Sequence, residues 1–358
     1  MNDTDVDAQS RLLDLINANW TTQAIAAACQ FDLPDRLAGR ALGARELAND
    51  IRLDADALAR LLRSLVTLDV CRMQGDGRFA LGPLGELLRR NHAKGLRHWA
   101  LLNGGPMWSR WQGLADRVRE GGRGTPGEAS AVRFERLGTE PGEAELFHGA
   151  MSELSRRLDD SLSAALELPD HALIVDIGGG AGGAGGLLAG VLARHPATQG
   201  LLFDLQHALD RAAPVMDRHG VADRCLLQAG GFFEGVPKGA DLYLMKSILH
   251  DWDDANAVRL LQRCRQAMGA GARLLVIERV LPERLSVLPD HRALARSDLN
   301  MLAGLAGRER STVEDQALFE RAGLVLRGTR SLAAGFSALE VIPSPTDALE
   351  ATSTVPPT

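Results

Sequence analysis

Seven of the nine residues from Gly178 to Gly186 are glycine, in the run IGGGAGGAGGLLAGVLARHP that follows the apolar stretch ALIVDI. Each glycine inside a helix costs about 0.8–1 kcal/mol relative to alanine, so the run reads as a tight strand-to-helix turn. There the missing Cβ atoms let backbone approach a ligand closely, and the following helix aims its N-terminal amides at it. This predicts a doubly wound α/β domain. From Leu173 onward the short apolar runs ALIVDI, LLFDL, CLLQA, ADLYLM, RLLVIERV, LVLRG and SALEVI alternate with amphipathic helical stretches, the pattern of a mostly parallel sheet. Only residues 331–335 separate the last two runs, too few for a parallel crossover, so an antiparallel hairpin is expected at one edge.

The N-terminal part has a different period. From about residue 10 to 90 apolar residues recur at spacings of three and four, as in Leu12, Leu15, Ile16 and Trp20, which is helical. Within it lie a helix, a short turn, a second helix near 55–68 and two short strands around Gly75-Asp76-Gly77, the order of a winged helix-turn-helix. Such a motif can read DNA. The would-be recognition helix, however, opens with Asp54 and Asp56 and carries only Arg60 and Arg63, so a dimerisation or lid role is favoured.

Composition narrows the function. The net charge of -6 over 358 residues argues against binding nucleic acid by bulk electrostatics, which needs a basic surface. Cys29, Cys71, Cys225 and Cys264 form no CxxC pair and have no histidine at ligand spacing, so neither a metal site nor a disulfide framework is expected. The acidic opening MNDTDVDAQS is unlike a signal peptide, and the longest uncharged run is broken by glycines. A cytoplasmic protein without a membrane span is expected.

The turn gains meaning from Asp204, at the end of the second strand, where a carboxylate can accept both hydroxyls of an adenosine ribose. VDIGGGAGG, FDL, ADLYLMKSILHDWDDANAVRLL, LLVIERVLPE and DLNMLAGLAGRERSTVEDQALFERAGL, in this order, resemble the class I S-adenosylmethionine-dependent small-molecule O-methyltransferases, the branch of bacterial polyketide and plant phenolic enzymes. The resemblance is densest over 173–342. It implies a Rossmann-like fold, with a mostly parallel sheet and an antiparallel edge hairpin, plus an N-terminal all-α winged-helix dimerisation domain. The corresponding boundaries are 1–95 for the dimerisation domain, 96–170 for a helical connector contributing to the acceptor pocket, 171–342 for the methyltransferase domain and 343–358 for a disordered tail.

His250 in KSILHDW falls at the carboxyl edge of the sheet, where open α/β folds bind ligands, and histidine can take a phenol or alcohol proton near neutral pH. The resemblance assigns His250 that role and makes Glu278 and Glu309 the carboxylates that orient it, as in other acid/base pairs. It further implies S-adenosylmethionine contacts at Asp176, Gly178, Gly180, Asp204, Gly231, Phe232 and Lys246. Met151 and Met301 match methionines that sandwich an aromatic acceptor; Asp251, an alternative acid or base beside His250, and Trp252, which like Lys246 resembles a cofactor-side residue, are counted with them as substrate residues. The implied assembly is a homodimer acting on an aromatic small molecule, with no metal, nucleic acid or membrane partner.

Two departures from the family pattern fall on the cofactor side. An extra Ala-Gly-Gly lengthens the turn, and Gly231 in QAGGFFEGVP replaces an acidic residue that contacts adenine. Both predict weaker cofactor binding. They leave open a second reading, in which the fold serves a cyclase, isomerase, lyase or hydroxylase. A third reading, a DNA-binding regulator, would need a basic recognition face.

Overall fold

The computed structural model describes residues 3–121, 134–135, 137, 139–180, 183–304 and 307–345. Ala181 and Gly182 of the glycine-rich turn, the Gly- and Pro-bearing stretch from residue 122, and 346–358 of the expected tail lie outside the described residues. The chain divides into two compact units, 1–109 and 110–358.

The first unit holds α1 (Asp3–Gln30), α2 (Leu33–Arg36), α3 (Ala44–Ile51), α4 (Ala55–Thr67), β1 (Cys71–Met73), β2 (Phe79–Leu81), α5 (Pro83–Glu86) and α6 (Arg97–Gly104). Its core gathers Ala28, Leu33, Leu47, Leu58, Leu62, Leu65 and Phe79. Asp54 caps α4, accepting from the Ala57 amide at 2.8 Å, and β1 and β2 form the antiparallel wing. A boundary at residue 95 would cut α6 from this unit. Gly104 of α6 lies so close to α1 that a Cβ there would stand 2.2 Å from the Ala26 Cβ, which places the helix on the N-terminal side of the division.

The second unit contains α8 (Leu114–Glu120), after α7 (Pro106–Gln112) at the junction, then α9 (Pro141–Ala165), β3 (Leu173–Ile177), α10 (Gly186–Arg194), β4 (Gln199–Asp204), α11 (Gln206–His219), β5 (Cys225–Ala229), β6 (Leu242–Lys246), α12 (Asp254–Ala267), β7 (Arg273–Leu281), α13 (Pro289–Gly304), β8 (Arg310–Ser311), α14 (Thr312–Arg321), β9 (Leu324–Ser331) and β10 (Phe336–Pro343). The sheet order is β5-β4-β3-β6-β7-β10-β9. The first five strands run parallel, and β10 is antiparallel to both β7 and β9, as the short 331–335 connection requires.

Alternation along the strands fills both faces, as expected of a parallel sheet covered on each side by helices. Val175, Ile177, Tyr243, Met245, Leu274 and Val276 pack with Leu260, Leu261, Leu318 and Phe319. Ile174, Leu202, Leu242, Leu244, Leu275 and Ile277 pack on the other face with Leu158, Leu162, Leu188 and Leu192. The strand order reverses at β3, between β4 and β6, so a crevice opens at the carboxyl ends of these strands. Among the described residues no helix is long and apolar enough to cross a membrane.

Candidate active site

The end of β3 carries Asp176, buried at 1% exposure, and passes into Gly178. Gly178 has φ +73° and a Cβ there would meet Ile248 at 2.6 Å, so both its backbone conformation and its surroundings demand glycine. Asp204 closes β4, with its Oδ2 3.0 Å from where a Gly180 Cβ would stand. Its Oδ1 accepts from the Leu205 amide at 2.7 Å. The N-cap of α11 is Leu205, with no side-chain cap; Asp204 is therefore not there as a helix cap.

Charge in this corner is unbalanced. Asp159, Asp176 and Asp204 are buried, as is Lys246, and the Asp176 Oδ1 has no hydrogen-bond partner among the described residues. Burial pushes the Asp176 carboxyl up to about 7, Lys246 opposing and Asp159 and Asp204 adding to the rise. A buried acidic set with an orphaned oxygen fits a ligand that carries positive charge and hydroxyls, and a nucleoside sulfonium such as S-adenosylmethionine has both. Lys246, at the end of β6, is held by Ser155 and Asp159 of α9. Gly231 lies in the turn after β5, with nothing nearer than 3.6 Å to a Cβ there. Phe232 stacks edge-on against Trp252 at 5.7 Å, and Phe233 does so at 4.6 Å. Trp252 is thus packed into this aromatic cluster, on the Phe232 side of the site.

The second constellation follows β6. Ser247 takes the left-handed conformation, φ 55°, and a single helical turn at 249–251 presents His250. Its Nδ1 donates to Glu309, 3.2 Å from each carboxylate oxygen, and lies 3.5 Å from Glu278 Oε2. Glu278, on β7, uses its Oε1 to accept from the Ile248 and Leu249 amides at 3.0 and 2.8 Å, which pins the turn to the strand. Asp251 Oδ1 is 3.6 Å from His250 Nε2. The structure thus brings His250, Glu278, Glu309 and Asp251 together.

Burial alone would lower the His250 imidazolium, but the carboxylates of Glu278, Glu309 and Asp251 outweigh it and raise it to about 10. Burial pushes Glu278 up to about 7, with His250 opposing. Burial also works to raise Glu309, but the imidazolium charge and the His250 and Ser297 hydrogen bonds prevail and hold it below the usual carboxylate range. Ligand atoms of His250, Glu278 and Glu309 lie within 4.8 Å of one another, near enough to share a cation, and the imidazolium is itself a cation placed to fill that role.

Sequence reasoning did not anticipate the supports of this cluster. Ser297 Oγ donates to Glu309 Oε1 at 2.6 Å, and Asp298 accepts from the Glu309 amide at 3.0 Å. Arg310 donates to the carbonyls of Leu249 and Trp252 and to Asp254. The Arg308 amide donates to the His250 carbonyl at 2.8 Å. Gly307 permits this contact, since a Cβ there would lie 1.9 Å from the same oxygen. Glycine in GRERS was the one visible signal. Met151 is half-buried on α9 and Met301 buried on α13.

Comparison with known proteins bears on the whole arrangement. Residues 111–325 match the family profile described as the O-methyltransferase domain, and residues 13–91 match that of the O-methyltransferase dimerisation domain. The chain is 35% identical over 318 residues to O-demethylpuromycin-O-methyltransferase of Streptomyces alboniger, covering 88% of this chain and 84% of that protein. It is similar to the crystal structure of LaPhzM, with TM-score 0.85 and 30% identity over 94% of this chain and 99% of that one. It is also similar to the O-methyltransferase NcsB1 from neocarzinostatin biosynthesis, solved in complex with S-adenosylmethionine and 2-hydroxy-5-methyl naphthoic acid. There the TM-score is 0.75 and the identity 32%, over 90% of this chain and 96% of that one.

Proposed function

Because the chain belongs to the O-methyltransferase family, we propose that it transfers the methyl group of S-adenosylmethionine to a hydroxyl of a phenolic or polyketide-type small molecule, with His250 as general base. The observation that carries this reading is a carboxylate-backed imidazole set beside a buried acidic glycine-rich turn, both at the carboxyl ends of the parallel strands.

In this reading Asp204 takes the ribose hydroxyls, Asp176, Gly178, Gly180 and Lys246 line the methionine side, and Gly231 and Phe232 flank the adenine. The bound cofactor supplies a methyl group already activated on a sulfonium. The protein's work is then to hold the acceptor oxygen in line and to remove its proton. His250 Nδ1–H stays on Glu309, which fixes the tautomer and leaves Nε2 to accept the hydroxyl proton, with Asp251 3.6 Å away to stabilise the resulting imidazolium. General-base catalysis of this kind contributes about 10²–10⁴-fold. Met151 and Met301 would flank the acceptor ring.

The exposed apolar residues Leu12, Leu15, Ile16 and Trp20 of α1 and the dimerisation-domain match support a homodimer in which the winged helix serves assembly and not DNA. Free thiols at all four cysteines are consistent with a cytoplasmic location. The reading is tested by incubating the protein with S-adenosylmethionine and a panel of hydroxylated aromatic acids and naphthoates. Formation of S-adenosylhomocysteine with a methylated product is expected, and His250→Ala should lower turnover by about 10²-fold or more. Full activity in that variant would remove the base assignment, and an intact fold that binds no cofactor would remove the methyl-transfer reading.

A further inference from the structure

Helix α9 carries a polar ridge, Ser155, Asp159 and Ser163, at a spacing of four that stacks them on one face. All three are buried. They stand against three glycines: a Cβ on Gly183 would lie 2.7 Å from Ser155 Oγ, one on Gly186 3.2 Å from Asp159 Oδ2, and one on Gly190 3.2 Å from Ser163 Oγ. The glycines therefore make a groove that receives the ridge, and the first two belong to the lengthened turn. Within the ridge Ser155 Oγ donates to Asp159 Oδ2 at 2.9 Å. Asp159 in turn forms a buried ion pair with Lys246, whose ammonium also reaches Ser155.

We propose that Asp159 is a positioning residue for the cofactor. Through Ser155 it sets where the turn backbone stands at Gly183, and through its charge it fixes Lys246 at the end of β6. The inference rests on the reading of this turn as the cofactor site. Without Asp159 a buried ammonium loses its partner, and Asp176, a carboxylate that also feels the Lys246 charge, would draw it away. Gly183 and Gly186 of the lengthened turn then have a structural reason: they are the small residues that let the turn seat on α9.

Calorimetric titration of the full chain with S-adenosylmethionine tests this, because it separates affinity from the fraction of folded sites. Asp159→Asn is expected to weaken binding at least about tenfold, equivalent to 1.4 kcal/mol, while one site per chain is retained. A Kd within about twofold of the parent, or a loss of sites at unchanged Kd as a merely structural role would give, overturns the proposal. Gly183→Ala provides the same test without touching the ion pair: the new methyl strikes Ser155 Oγ, so the turn must shift and Kd should rise by a similar factor. An unchanged Kd in that variant also overturns the proposal. Asp204→Ala is the reference. If it too binds like the parent, the cofactor-site reading itself fails; if it alone loses binding, only the role of Asp159 falls.

Discussion

His250 can act as a base only after giving up the proton that its neighbours hold on it. With Glu278, Glu309 and Asp251 raising the imidazolium to about 10 against the pull of burial, the free site stores a proton at neutral pH. A second cation brought into the same corner lowers that value. Glu309→Gln removes one of the negative charges responsible, so the acid limb of the kcat/KM profile should move to lower pH. Its kcat should fall by about 10²–10⁴-fold, because the imidazole tautomer is no longer fixed. A pH–rate series on both proteins decides this, and a limb that stays put or moves up contradicts it. The same shift stabilises the fold below the ordinary histidine value of 6.5, and that contribution is lost as pH rises toward about 10. Gly231 gives a gain-of-function test. A Cβ there meets nothing within 3.6 Å, so Gly231→Asp is sterically free and should tighten cofactor binding about two- to tenfold through one added hydrogen bond of 0.5–1.5 kcal/mol. Calorimetry reads the change, and no gain would show that the adenine does not lie beside this turn. His250 was legible as a histidine just after a strand at the carboxyl edge of the sheet, and Glu278 and Glu309 through the family motifs that carry them. Ser297 and Asp298 were not, because a serine and an aspartate on a helix acquire a role only when Glu309 is folded against them.

At the scale of elements, the mostly parallel sheet and its antiparallel edge hairpin followed from local period and connection length, whereas the order of the strands is set by pairing between distant segments. In the short segment 307–311 the resemblance singled out Glu309 but not the rest of the segment, which clamps the turn that bears the base. Its Arg308 amide holds the His250 carbonyl, and Arg310 holds those of Leu249 and Trp252. Gly307→Ala would push a methyl to 1.9 Å from the His250 carbonyl oxygen and within 3 Å of Asp251 backbone atoms, so the turn must shift. Because a displacement of about 1 Å can cost about 10²-fold in rate, turnover should fall by that order, with binding of the cofactor alone little changed. Steady-state kinetics beside cofactor calorimetry checks the split, and an unimpaired enzyme would show that the clamp does not position the base. The glycine-rich turn teaches the converse lesson. In the sequence its extra residues predict weaker cofactor binding, because the distant side chains that glycines can receive are not visible in a local stretch. In the fold Gly183, Gly186 and Gly190 are matched one by one to Ser155, Asp159 and Ser163, a pairing no local window contains.

For the whole molecule, the decisive residues are ones that the described chain leaves unburied. Leu12, Leu15, Ile16 and Trp20 of α1 are 58, 57, 59 and 68% exposed, and Leu12, Ile16 and Trp20 repeat at intervals of four along one face. Their helical spacing was legible, but burial in an assembly is not encoded in any one chain's period, so the same pattern would serve a core helix. A soluble monomer seldom exposes so continuous an apolar row, and the match of residues 13–91 to a dimerisation domain supplies its occupant, a second copy of this chain. Placing like charges at the centre of a self-complementary interface sets each copy against the other. The double variant Ile16→Glu with Trp20→Glu should therefore sediment as a monomer at concentrations where the parent is a dimer. Because these side chains lie outside the core of their own unit, its far-ultraviolet circular dichroism should match the parent's. Sedimentation equilibrium decides between the outcomes: a variant that remains dimeric moves the interface off this face of α1, and a parent that is already monomeric removes the homodimer altogether.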